Sequence, residues 1–304
     1  MNKTYIVLHH IHIQNANAMS SCYTIGFPAM TAWLGAVHAW QRQLTRIPGL
    51  EQIKLTKTAV ISHQCQLQTY KNGYFSSIIG TANPLKKNKR TGNFERPPFI
   101  EEARIHLDVS LVIEAQGVSG DNEKLCKAKL QTILWRTKLA SGDVVGYDEN
   151  IEIKYIPENT CTEERKIIYS LMPGYALIER SELLQTQDDA KEDKLDSLLD
   201  FLSIHVYSET ENGKNTKTWH VKKREPGWLV PIAIGFKGIS PVGKVANQRD
   251  ETADHCFVES VVTLGEFRMT YRFQSLEDMM WHYEYDAANQ LYICKNQAGG
   301  MQHG

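Results

Sequence analysis

Residues 103–114 alternate. Ile105, Leu107, Val109, Leu111 and Ile113 fall on one side, and Arg104, His106, Asp108, Ser110 and Val112 on the other. A period of two predicts a strand with one buried face and one mostly polar face. A strand this long needs partners on its edges, and the surrounding chain supplies them. Residues 5–13 begin apolar on both faces and predict a central strand. Residues 53–70 are rich in β-forming types, and Asn72-Gly73 inside YKNGYF predicts a hairpin turn. Residues 151–155 predict a further strand.

Two helices interrupt this series. Gly26-Phe27-Pro28 opens the first, with Pro28 in the first turn, where its missing donor costs nothing. Ala29, Met30, Trp33, Leu34, Val37, Trp40 and Leu44 share its inner face, and His38, Arg42 and Arg46 its outer one. Asp121 is the expected cap of the second, which runs to about Leu139 with Leu125 and Leu134 inward. Strand, helix, two strands, helix, strand is the split βαβ order of a ferredoxin-like, RRM-type sheet. The expected fold is therefore α+β, one unit over 1–304, with an RRM-like core at 1–165 and an elaboration at 166–304.

In that second half, residues 188–201 predict an acidic helix whose Leu195, Leu198, Leu199 and Leu202 form a buried stripe. Asn212-Gly213 predicts a hairpin leading to Lys222-Lys223-Arg224. Residues 257–264 predict a strand, 276–283 a short helix, 291–294 a last strand, and 299–304 a disordered tail.

Charge restricts what such a chain can bind. Lys plus Arg (34) nearly cancel Asp plus Glu (35), for a net charge of −1. A free-standing nucleic-acid binder is usually basic overall, so any contact here has to come from local patches. The six cysteines, at 22, 65, 126, 161, 256 and 294, include no C-x-x-C pair and fit free thiols in a reducing cytoplasm. His9, His10 and His12 interrupt the apolar start, which argues against a signal peptide. Nothing approaches about eighteen consecutive apolar residues, so no membrane partner is expected.

Three stretches carry candidate contacts. After the apolar run Trp228-Leu229-Val230 come Gly235, Gly238 and Gly243, with Lys237 and Lys244 between and after them, then Asn247 and Arg249. Glycines allow close backbone approach, a bend of N–H groups can hold an anion, and Arg and Asn suit phosphate and base edges. The spacing matches neither a dinucleotide fingerprint nor a Walker loop, where Val245 stands in place of Ser or Thr. On residue types alone, phosphate contact and an ordinary glycine turn are equal readings. Residues 80–98 predict a long loop with Lys86, Lys87, Lys89 and Arg90 beside Phe94, either a phosphate contact or a solvated tip. The loop at 14–18, with Asn15 and Asn17, is either a turn or a holder of base edges. Arg42 and Arg46 are solvated unless RNA or a partner meets them. His10 and His12 share a strand face but have no third ligand at recognisable spacing, so no metal or cofactor is expected.

IQNANAMS after the first strand, GFPAMTAWLGAVHAW at the first helix, and WLVPIAIGFKGISPVGKVANQRD followed by FVES together resemble the second Csy subunit of the type I-F CRISPR surveillance complex. That family belongs to the Cas-five branch of the RAMP proteins. The resemblance implies an RRM-like fold with a projecting thumb hairpin. It implies a non-catalytic subunit, paired with the large Csy subunit at the foot of the complex near target DNA. There it would hold the 5′ handle of the CRISPR RNA and meet the first backbone subunit. By resemblance, Asn15 and Asn17 match the family's amide loop, and Gly235, Gly238, Gly243, Asn247 and Arg249 its glycine-rich segment. Two other readings remain. One is a metal-independent endoribonuclease, for which His10, His12, His38 or His106 would supply a base. The other is a purely structural adaptor.

Overall fold

The computed structural model describes residues 3–78, 85–95, 102–148, 150–157, 161–185, 193–210 and 217–296. The first half contains β1 (Lys3–Asn17), α1 (Met30–Leu44), β2 (Lys54–Leu67), β3 (Thr69–Asn72), β4 (Phe75–Ile78), β5 (Lys86–Lys87), β6 (Phe94–Glu95), β7 (Arg104–Gln116), α2 (Glu123–Arg136), β8 (Lys138–Leu139), β9 (Gly142–Gly146) and β10 (Glu152–Ile156). The second contains α3 (Cys161–Ser170), β11 (Tyr175–Glu179), α4 (Glu182–Gln185), α5 (Lys194–Leu202), β12 (His205–Thr210), β13 (Lys217–Lys222), β14 (Trp228–Gly238), β15 (Val258–Met269), β16 (Trp281–Asp286) and β17 (Leu291–Asn296). The fold is α+β, and the strand pairings among these residues are antiparallel.

β1 is central because Tyr5, Ile6, Val7 and Leu8 are all fully buried, which only a strand covered on both faces achieves. β7 lies along one edge of it. The other edge is shared, with β10 beside Lys3–Val7 and β9 beside His12–Gln14. β2 continues the sheet beyond β7. These four strands thus lie in the order β10-β1-β7-β2.

The far edge of β2 starts a second circuit. It pairs with β11 at Ile61–Ser62 and with β16 at Thr58, and the path β11-β15-β14-β17-β16 returns to it. The strands therefore close on themselves, which removes open edges that would invite aggregation. Trp281 sits inside, donating from Nε1 to the Leu177 carbonyl at 2.7 Å. Arg180, almost wholly buried, pairs with Glu266 and Glu182 and ties the α4 turn to β15.

Two apolar clusters hold the sheet from either side. α1 and α2 press Met30, Trp33, Val37, Trp40, Leu130 and Leu134 onto Ile6, Leu8, Ile11, Ile13 and the inward row of β7. On the other face α3 and residues 273–280 cover Tyr5, Val7, Ala59, Ile61 and Val112.

Several expectations need correction. The first strand runs on to Asn17, so the segment predicted as a loop at 14–18 is largely strand. The first helix starts at Met30 with Ala29 as its N-cap, so Pro28 precedes it rather than sitting in its first turn. Asn122, not Asp121, precedes α2, which ends at Arg136, with Leu125 exposed and Leu139 in a separate strand. The polar face of β7 is only partly open, since Val112 is fully buried in the second cluster and Ser110 is fully buried beside His10 and His63. In α5 the residues turned inward are Ser197 and Phe201, and Leu195 and Leu199 are 58% and 52% exposed. Residues 276–283 form a 3-10 turn at Glu277–Met279 and then a strand, because alternation from Trp281 prevails over helical spacing. The hairpin turn after Asn72 is made by Gly73-Tyr74, with Gly73 at φ +60° and Asn72 paired to Phe75. The predicted turn at Asn212-Gly213 lies outside the described residues, although β12 and β13 pair on either side of it. Residues 188–192, the ends of the 80–98 segment and the tail at 299–304 also lie outside them.

Candidate nucleic-acid interface

The second face of the sheet is covered along one half only. Beyond the reach of α3, β1, β7 and β2 present a polar surface whose rows follow from the register. His12 of β1 and Gln64 of β2 both pair with Asp108 of β7, and Gln66 pairs with His106 one step along. Directly paired residues share a face, so these side chains stand side by side. Two register shifts in β1, between Leu8 and Ile11 and between Ile13 and Ala16, set which residues face outward. Each shift contains a non-glycine residue at positive φ, His10 at 48° and Asn15 at 56°. Such conformations cost of order 1–3 kcal/mol and persist only where the surroundings impose them.

Hydrogen bonds fix this surface. His10 Nδ1 lies 3.1 Å from both oxygens of Asp108, and His12 Nδ1 is 3.8 Å from Oδ2. Behind them, His63 donates from Nδ1 to the Pro173 carbonyl at 2.7 Å, so its Nε2 accepts from the Ser110 hydroxyl at 2.7 Å. Burial pushes the His63 imidazole below its ordinary pKa, against the pull of the Pro173 carbonyl. At the outer end the Asn15 N–H donates to His106 Nδ1 at 3.3 Å, the Gln68 amide meets Asn15 Oδ1 at 2.6 Å, and Arg104 reaches the Asn15 carbonyl at 3.4 Å. A cavity of about 240 Å³ opens between His12, Gln14, Gln64, Gln66, His106 and Asp108. Among the described residues no group of three or more His, Cys, Asp or Glu is placed to hold a metal ion. The surface is an array of amide and imidazole donors and acceptors, which suits unpaired bases.

The basic segment rises from the same end. It leaves the sheet after β2 and returns at β7, and the Gln68 N–H closes its neck on the Arg104 carbonyl at 2.9 Å. Within it, residues expected as loop form the ribbon β5–β6, with Lys86 opposite Glu95 and Lys87 opposite Phe94. Asn88 Nδ2 and Thr91 Oγ1 donate to Glu95 at 2.8 and 3.0 Å. Lys86, Lys87, Lys89 and Arg90 have no carboxylate within ion-pair distance among the described residues.

The other candidates are distributed elsewhere. Asn17 is engaged locally, donating to the Met19 carbonyl at 3.1 Å and accepting the Met19 N–H at 2.9 Å. Arg42 is exposed on the outer side of α1, across the sheet from the open half-face. In the glycine-rich segment, Gly235 and Gly238 lie within β14 itself. A Cβ on Gly235 would strike the Tyr292 carbonyl and sit 2.7 Å from the Ile293 Cα, so this glycine lets β14 and β17 approach. A Cβ on Gly238 would meet Gln290 at 2.8 Å, whereas around Gly243 the space is open. The N–H groups of Gly238, Ile239 and Gly243 already donate to carbonyls of Gln290, Phe257 and His255. Lys244 caps its own loop through the Glu251 and Ala253 carbonyls at 2.9 and 3.0 Å. Lys237, Asn247 and Arg249 are exposed, Asn247 at φ +60°.

Gln64, Gln66, Gln68, Asp108 and Arg104 were not singled out as candidate contacts by sequence reasoning. For the glutamines the signal is the string HQCQLQ, in which three glutamines recur every second residue at the end of a strand.

Residues 6–294 match the sequence model of a family described as CRISPR-associated protein (Cas_Csy2). A protein of Pseudomonas aeruginosa (strain UCBPP-PA14), named CRISPR-associated protein Csy2, is 30% identical over 315 aligned positions, spanning 94% of this chain and 93% of the relative.

Proposed function

We infer a role for this chain from one premise: it belongs to the CRISPR-associated Csy2 family. It acts as a non-catalytic subunit of a type I-F surveillance complex in the cytoplasm, holds the 5′ handle of the CRISPR RNA, and supports interference with target DNA. The observation that carries this reading is the open half-face of the sheet. An RRM-like core with order β10-β1-β7-β2 offers one sheet face to RNA. Here that face is sealed by α3 over its apolar half and left open where His12, Asn15, Gln64, Gln66, His106 and Asp108 stand. The insert between β2 and β7 is the thumb of the RAMP fold, and its unpaired cations extend the surface towards phosphates.

Protein partners are supported by a second surface. In the β12–β13 hairpin Val206 stands opposite Val221, and with Ile204 and Trp219 beside them all four are more than half exposed. A two-stranded hairpin with a bare apolar face gains stability from a partner. We assign this surface to the large Csy subunit, and the end of the sheet at the neck of the basic segment to the first backbone subunit.

RNA cleavage is the second reading, favoured by the His10–Asp108 pair alone. Incubating the chain, purified together with the large subunit, with repeat RNA separates the two. Retention of an intact handle is expected. Metal-independent cleavage that His10→Ala abolishes would replace the binding role with an enzymatic one.

A further inference from the structure

Resting on the RNA-holding role above, we propose that the cavity between β1, β7 and β2 is a pocket for a single unpaired guanine, entered by its Watson–Crick edge. The pocket lies among His12, Gln64, Gln66, His106 and Asp108, and at about 240 Å³ it is smaller than a drug-sized site and suits one base. Its chemistry excludes phosphate. Asp108 is the one carboxylate among the lining residues, its side chain is 17% exposed, and an anion brought beside it would be repelled.

The same carboxylate selects among bases. An ionised Asp only accepts hydrogen bonds, and it is held in place by the His10 and His12 imidazoles behind and beside it. Two oxygens in one plane are matched by two adjacent donors. Guanine offers N1–H and the 2-amino group side by side. Uracil has a single imino donor between two acceptors, and adenine and cytosine offer one amino group next to a ring acceptor. The remaining group on the guanine edge, the O6 acceptor, is met by the donors of Gln64 and Gln66, which share the row of Asp108 and the row of His106. Carboxylate and amides therefore present acceptor, acceptor and donor to donor, donor and acceptor. His10 and His12 cannot replace Asp108 in this, because each has one ring nitrogen turned towards it, and His106 Nδ1 is taken by the Asn15 N–H.

The test is fluorescence anisotropy of the full chain with labelled eight-nucleotide RNAs at fixed salt. One probe is all uridine, and three others carry one central guanosine, inosine or 7-deazaguanosine. The guanosine probe is expected to bind about tenfold tighter than the uridine probe, the discrimination of one good bidentate pair. Inosine, which lacks the 2-amino group, should lose most of that gain, and 7-deazaguanosine, altered on the opposite edge, should keep it. Asp108→Asn should bring the guanosine-to-uridine ratio close to one. Equal binding of the guanosine and uridine probes by the parent chain, or loss of the gain with 7-deazaguanosine, would overturn the guanine pocket while leaving RNA holding intact. No binding of any probe would overturn both.

Discussion

Gly235 illustrates how a residue type underdetermines its use. Three glycines and two lysines after an apolar run suit a phosphate cradle as well as a turn. What decides between packing and display is the neighbouring strand β17, about which the run itself carries no information. With the Tyr292 carbonyl in the space of a Cβ, Gly235→Ala is expected to destabilise the fold by about 1–3 kcal/mol in denaturant titrations. Gly243→Ala, with nothing near its Cβ, should stay within about 0.5 kcal/mol. Equal effects at the two positions would contradict this division. His63 gives a second expectation at this scale. Its imidazole is neutral in the fold, and its pKa is held down by burial. Between the folded pKa and the unfolded value of about 6.5, the unfolded chain binds more protons. The stability it contributes is therefore complete above about pH 6.5 and falls as pH drops through and below that value. His63→Gln should flatten the unfolding midpoint between about pH 7.5 and 5.5, and an unchanged pH dependence would contradict the assignment.

At the scale of elements, long strands and the first helix were legible because their periodicity is strong. β7 alternates clearly over Arg104–Val109, and the inner face of α1 holds every apolar residue placed there except Ala29, which is half-buried. Boundaries and covers were less legible. That Val112 is sealed depends on α3 and residues 273–280, which come much later in the chain. The polar half-face was likewise hidden, because its rows are assembled from three strands whose register no single segment specifies. The β5–β6 ribbon has its own consequence. Its turn is held by Asn88, Thr91 and Glu95, none of which is a cation, so removing the charges leaves the element intact. Changing Lys86, Lys87, Lys89 and Arg90 to Ala should reduce the slope of log affinity against log salt by about 0.7 for each phosphate no longer neutralised. An unchanged slope would return the ribbon to solvent.

For the whole molecule, the near-neutral charge is compatible with the proposed RNA-holding role because the surface groups are segregated. Cations without carboxylate partners sit on the insert, amides and imidazoles on the open half-face, and apolar side chains on the β12–β13 hairpin. Each surface thus suits a different class of partner, as the proposed placement between RNA and protein requires. Photo-crosslinking of the purified chain, together with the large Csy subunit proposed as its partner, to handle RNA carrying 4-thiouridine, with the crosslinked peptides mapped by mass spectrometry, tests this most directly. Crosslinks are expected in residues 10–17, 63–68 and 104–108, with further ones in 86–90. Crosslinks confined to the loop at 239–257 or to the β12–β13 hairpin, with none on the open half-face, would contradict the assignment of RNA to the sheet.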